Sequence, residues 1–221
     1  MPGYQTLQQD VAIAGSGALV IRSLLDRQQF SDRGGEAARL GISSAAWPLF
    51  GLLWPSGAQL AALMVARPPA AGARVLEIGC GLALASLVCQ RLGVDITASD
   101  RHPLAQEFLD ANARLNGLAL LRYRHGDWSL TEEPESLYDL IIGSDLLYER
   151  DGKGTLASYI GRRAAAVAEV RIVDPDRGNR PAFHRHMAAQ GFDLQDERLD
   201  RAATATAAAY KGRLLTYRRA A

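Results

Sequence analysis

Apolar and polar positions along the chain change character at Arg74. Beyond it, short apolar runs alternate with longer stretches whose apolar residues recur every three or four positions. The short runs read as strands and the 3.6-periodic stretches as helices. Strands are expected at RVLEIG (74–79), VDITASD (94–100), LALLRYRHGDW (118–128), YDLIIGSD (138–145), EVRIVD (169–174), GFDLQDERLD (191–200) and GRLLTYRR (212–219). Helices are expected at 82–93, 103–116, 154–168 and 181–190. Pro103 suits a first helical turn and Gly117 a helix end. Alternation of this kind implies an α/β fold, a doubly wound, mostly parallel seven-stranded sheet with helices on both faces.

Before Arg74 the pattern is less regular. VAIAG and ALVIRSLLD read as two strands joined by the turn GSG, and SDRGGEAARLG as a polar, glycine-broken loop. Residues 1–45 are therefore expected to form a small N-terminal extension, with a β-hairpin as its candidate structure, and 46–221 the main domain. WPLFGLLWPSG is an apolar loop broken by Pro and Gly, 58–66 is helical, and PPAAGA is a breaker. TEEPES reads as a solvated acidic turn, and ATATAAA is the one low-complexity stretch.

Composition narrows the picture. With 221 residues, 48% hydrophobic, the chain suits one α/β domain. A formal net charge of +1 offers no basic field for nucleic acid. Lys153 and Lys211 are the only lysines, a bias shared with the many alanines and read as genome composition. Cys80 and Cys89 cannot build a disulfide framework and fit a reducing compartment. The N-terminus lacks a signal-peptide pattern, and the longest apolar stretch is too short for a membrane span. A soluble cytoplasmic protein is the expectation.

VLEIGCGLA runs strand, Gly-x-Gly, helix, the turn at which a doubly wound sheet holds a nucleotide-like cofactor. A dinucleotide site would want a third glycine at Leu84 and would be repelled by Glu77, two residues before Gly79. That carboxylate instead suits the sulfonium and ammonium of S-adenosylmethionine. The bland alternative is an ordinary tight turn. Asp100, 21 residues after Gly79, is placed to accept from two ribose hydroxyls, and also to cap the next helix. Asp127 can accept from an exocyclic amine and Trp128 can stack on a purine; alternatively GDW is a capped turn with a core Trp. Trp54 can roof the methionine end of a cofactor with its aromatic face, whereas Trp47 more readily packs in the core. Residues 76–78, Asp100 and GDW share the carboxyl edge of successive strands.

VLEIGCG, ITASD, GDW and LIIGSDLLYE, in this order, resemble the Rossmann-like class I seven-strand methyltransferases. WPLFGLLWPSGAQLA and the D-x-x-Y run DLLY narrow the resemblance to the protein-lysine methyltransferase branch known as family 16. WPSGAQ followed by VRIVDPDRGNR is most similar to the electron transfer flavoprotein β-subunit lysine methyltransferases and their bacterial relatives. Leu53 departs from the Tyr or Val common before the second tryptophan there. The resemblance covers roughly residues 47–180 and implies S-adenosyl-L-methionine as cofactor, contacted by Trp54, Gly79, Cys80, Gly81, Asp100, Trp128 and Ser144. It also implies a protein substrate presenting a lysine, with Asp145 and Tyr148 at the substrate amine.

The residues themselves agree with that role. An ionised Asp145 beside a buried strand is costly unless paired or facing a wet site. A carboxylate and a phenol three residues apart share a side if the chain turns helically there, and together can aim an amine. The alternative is that Asp145 caps a turn and Tyr148 fills core. Asp174, Asp176 and Arg177 either line the substrate cleft or form a solvated Asp-Pro turn. His184 and His186 lack ligand spacing, so no metal is expected. A small-molecule methyltransferase and a non-catalytic cofactor-binding module stay open beside the lysine enzyme.

Overall fold

A computed structural model of the chain describes residues 3–129, 136–203 and 208–220. Most of TEEPES and part of ATATAAA lie outside them. The N-terminal hairpin pairs β1 (Thr6–Ile13) with β2 (Gly17–Leu24) in antiparallel register. The main sheet contains β3 (Arg74–Ile78), β4 (Asp95–Asp100), β5 (Arg122–His125), β6 (Tyr138–Ser144), β7 (Ala164–Asp174), β8 (Asp193–Arg198) and β9 (Arg213–Arg219). Their order is β5-β4-β3-β6-β7-β9-β8, parallel except that β9 runs against both neighbours. The chain winds one way from β3 through β5 and the other from β6, so β3 and β6 meet at the topological switch point. Open α/β sheets bind ligands beyond the carboxyl ends of strands there.

Strand alternation feeds two cores. Val75, Leu140 and Ile142 face a core shared with α2 (Pro55–Ala66), α3 (Leu84–Arg91), α4 (Ala105–Leu115) and the hairpin. Leu76, Ile78 and Ile141 face a second core under α5 (Thr155–Arg163) and α6 (Arg180–Ala189). The hairpin is integral to the first core through Ile13, Leu19, Ile21 and Leu24. Its open edge is satisfied by side chains. Asn112 accepts from the Arg22 amide at 2.7 Å and donates to its carbonyl, and Asn116 does the same for Val20. An edge strand is thereby covered without a third strand.

Several elements depart from the sequence pattern. The glycine-broken loop contains one helical turn, α1 (Glu36–Arg39). Asp32 holds it, accepting from the Ala37 and Ala38 amides. WPLFG forms a 3₁₀ turn, Trp47–Gly51, and α2 starts at Pro55 because proline fits a first turn. Residues 164–168 are strand rather than helix. β7 starts straight after α5 and bulges against β6, and Arg219 donates to the freed carbonyls of Ala164 and Ala165. Sheet pairing overrides alanine's helix propensity there. β5 is only four residues long.

Candidate active site

A cavity of about 560 Å³ opens at the switch point. Every residue expected at the site lines it: Trp54, Glu77, Gly79, Cys80, Gly81, Asp100, Asp127, Trp128, Ser144, Asp145 and Tyr148. They come together because strand ends bring carboxyl-edge loops to one place, whatever their separation in sequence.

The glycine turn is built by close approach. Gly79 and Gly81 both have positive φ, at 57° and 51°. A Cβ on Gly81 would sit 2.8 Å from the Phe50 carbonyl oxygen, and one on Gly79 would sit 2.6 Å from Leu146 Cδ2. Only glycine tolerates both demands at once. The Cys80 amide donates to the Ser99 carbonyl at 2.9 Å, pinning the turn to β4. Burial, with Asp100 and Glu77 nearby, holds the Cys80 thiol well above its usual range, so it serves as wall. Leu84, at the third-glycine position, is buried in the first core.

Glu77 is 3% exposed. One of its carboxylate oxygens accepts from both the amide and the hydroxyl of Ser86 on α3. Burial raises its pKa to about 7, against the lowering effect of these bonds. The carboxyl is thus balanced between states until a cation settles it. Asp100 accepts from the Gly81 amide and the His102 amide, each at 2.8 Å. It closes a local turn and does not cap the next helix, whose N-cap is Leu104 with no side-chain bond, and each oxygen keeps a lone pair for a ligand hydroxyl. Burial raises its pKa too. Asp127 accepts from the amide and hydroxyl of Ser129. Trp128 packs against the second core while lining the cavity.

Trp54 donates its indole N–H to the Leu49 carbonyl at 2.8 Å, which fixes the ring. Arg27 lies over that ring, 5.2 Å from its centroid, and also lines the cavity. Trp47 is core, 1% exposed, as its alternative reading had it. Sequence reasoning missed Arg27, Phe50 and His102. His102 lies two residues past Asp100, so the same strand-edge logic could have found it. Its imidazole stacks on Phe50 at 3.6 Å, and burial lowers its pKa to about 3. Nδ1 accepts from the Leu104 amide, which leaves the proton on Nε2. Arg27 comes from the irregular N-terminal third and carries no motif.

At the far wall Asp145 directly follows β6, and its φ is +60°. Asp is among the residues that tolerate this conformation, and its amide bonds the Val173 carbonyl at 2.9 Å. A turn follows rather than a helix, yet Tyr148 still reaches the cavity and is 48% exposed. Of the DPDRGNR residues only Arg177 lines the cavity. Its guanidinium pairs with Asp145, Nε lying 2.8 Å from Oδ1. Asp174 is fully buried beneath, and Asp176 faces an exposed arginine cluster. A second groove of about 520 Å³ shares Trp128, Leu146, Tyr148, Glu149 and Thr155 with the cavity and continues between α5 and α6. Among the described residues no group of three or more His, Cys, Asp and Glu side chains could hold a metal. His184 bonds the Tyr217 hydroxyl at 2.6 Å. Nor, among the described residues, is any helix long and apolar enough to cross a membrane.

The fold has solved counterparts. The structure described for disulfide-to-thioacetal conversion in echinomycin biosynthesis matches with TM-score 0.63 at 20% identity, over 86% of this chain and 93% of the other. Magnesium protoporphyrin IX methyltransferase from Synechocystis, with bound S-adenosylmethionine, matches with TM-score 0.58 at 17% identity, over 75% and 78%. At these identities the likeness concerns the fold. In sequence, the protein N-lysine methyltransferase METTL21A of Danio rerio is 32% identical over 117 residues, half of each chain. The electron transfer flavoprotein beta subunit lysine methyltransferase of Xenopus laevis is 27% identical over 155 residues, 67% of this chain and 62% of the other. The chain thus spans about half the length of the curated relatives it matches. Residues 51–179, which hold nearly every wall of the cavity, match the model of the lysine methyltransferase family, and the chain belongs to that family.

Proposed function

We propose that this protein transfers a methyl group from S-adenosylmethionine to a lysine ε-amine of a protein substrate. One observation carries the reading: the cavity that begins at the glycine turn, Glu77 and Asp100 ends at Asp145 and Tyr148. A cofactor end and a nucleophile end thus share one space.

The donor set fits the cofactor. Glu77 offers a carboxylate to an ammonium group, and Asp100 has lone pairs for ribose hydroxyls. Trp128, Phe50 and His102 give the cavity an aromatic lining against which a purine can pack. The two glycines leave room that any Cβ would fill. When bound, S-adenosylmethionine supplies an electrophilic methyl on a sulfonium that departs as a thioether. A lysine amine has a pKa of about 10.4, so it arrives as ammonium and must lose a proton to solvent before its lone pair is free. Asp145 then accepts an N–H and aims the nitrogen, with Tyr148 beside it; holding reactants in line accounts for much of such catalysis. Tyr148 stands between the cavity and the second groove, so a polypeptide lying in that groove can pass one long side chain inward.

The test is transfer of a tritiated methyl from the cofactor to soluble protein extract of the source organism. Label is expected in protein. Asp145→Ala should lower the rate roughly 100-fold or more, with calorimetric cofactor affinity retained. Label found only in small metabolites would replace the protein substrate with a small one, and tight binding without turnover would leave a binding module.

A further inference from the structure

Asp145 does not wait alone for its amine. Arg177 reaches it from the loop after β7, and both guanidinium contacts fall on the same oxygen, Oδ1. Oδ2 is left for a ligand. We propose, building on the lysine-methylation reading, that Arg177 is a positioning residue for Asp145: it fixes the carboxylate and cancels its charge, so the site favours the neutral, nucleophilic amine over the ammonium.

The loop is built to hold this arginine still. Asp174, buried at the end of β7, accepts from the Arg177 amide at 2.7 Å. Asp176 sits at φ +66° and is pinned by Arg180, by Arg198 at 3.0 Å and by Arg213 at 3.1 Å. Asn179 donates to the Leu147 carbonyl at 2.9 Å, tying the loop to the D-x-x-Y turn itself. A contact that substrate had merely to push aside would need slack. This loop is anchored through three residues, Asp174, Asp176 and Asn179, which suits a permanent part of the site.

The electrostatics follow. A lone carboxylate beside an incoming amine stabilises the ammonium and keeps its lone pair occupied. A carboxylate already paired with a guanidinium presents little net charge, yet still accepts a hydrogen bond. Other groups around the pair are Asp174 and Arg180 from β7 and α6, Tyr210 ahead of β9, and Tyr148 and Glu149 on the turn. Tyr210 is pushed up to about 12 by burial and bonds the Ser56 hydroxyl, so it stays neutral. Asp174 is raised by burial and shared between Arg177 and Arg180. Among the described residues, Arg177 is the cation that pairs with Asp145.

The experiment compares wild type, Arg177→Gln and Arg177→Lys for initial rates of tritium transfer to saturating source-organism extract between pH 6 and 10, with cofactor affinity measured by calorimetry to confirm folding. In the wild type the acid limb reports loss of the amine proton in the complex. Removing a unit charge a few ångström away should move that limb up by about one pH unit in Arg177→Gln, a roughly tenfold loss on the limb. Arg177→Lys should return the limb towards its original place while recovering the rate only in part, because an ammonium lacks the fork. An Arg177→Gln limb that does not move, with the wild type active, overturns this inference alone. A faster Arg177→Gln enzyme makes the arginine a blocking group and also overturns it. A wild type that labels nothing overturns the lysine reading and this inference together.

Discussion

Glu77 and Asp145 occupy the carboxyl edge of neighbouring strands, Glu77 buried and Asp145 partly exposed. Their partners differ in kind. Glu77 is held by a neutral amide and hydroxyl, both from Ser86, nine residues along the chain. Asp145 is held by a guanidinium from Arg177, 32 residues away on another loop. Neutral donors leave burial in command, so Glu77 titrates near neutrality and waits for a cationic ligand to ionise it. The ion pair fills Oδ1 of Asp145 beforehand, leaving that residue to aim rather than attract. In the proposed reaction one carboxylate selects the methyl donor and the other orients the amine.

The contrast is broken most completely by closing the glycine turn. Gly81→Val adds a side chain at positive φ against the Phe50 carbonyl. Cofactor affinity should fall about a thousandfold or beyond detection by calorimetry, with the Asp145 side of the cavity intact. Affinity within tenfold of wild type would show that the cofactor does not use this turn.

Titration sharpens it next. The folded-state pKa of Glu77 is raised to about 7 from an ordinary 4.5, so its contribution to stability is full below pH 4.5 and is lost as pH rises through 7. That shift corresponds to about 3 kcal/mol. Glu77→Gln cannot ionise, so its stability relative to wild type should climb by about that amount between pH 4.5 and 7.5 in thermal or urea unfolding. Cofactor binding should also release a proton near pH 6.5 in the wild type alone, seen as a buffer-dependent heat. A pH-independent difference between the two proteins would mean that Glu77 ionises as an exposed acid does.

The smallest change is Ser86→Ala, which removes one hydroxyl bond to Glu77 and keeps the amide. About 1 kcal/mol of stability should be lost, with cofactor affinity altered less than threefold. A larger loss of affinity would make the hydroxyl part of the cofactor site.

Much of the cofactor end was legible because its devices are local. Gly79 and Gly81 are forced by turn geometry, Glu77 and Asp100 by distance from that turn, and GDW by its place after a strand. The sheet was legible through its short apolar runs, and the lengths of β3, β4 and β6 follow them closely. Where a segment's state depended on partners, the pattern misled: residues 164–168 look helical and are held extended by β6 and Arg219. His102, Arg27 and Arg177 carry no periodic signal either. Each acquires its place from a ring, an indole or a carboxylate brought from elsewhere.

By itself, then, the sequence determined the doubly wound sheet, the tight glycine turn and the acidic residues that follow strand ends, since each rests on backbone sterics or on contacts within a few residues. Tertiary structure alone decided that one cavity joins Glu77 to Asp145, that an N-terminal hairpin shares the core, and that Arg177 pairs with Asp145. Such pairings depend on which loops the folded sheet sets side by side, and a carboxylate's state depends on the burial and charge that neighbours impose once they are there.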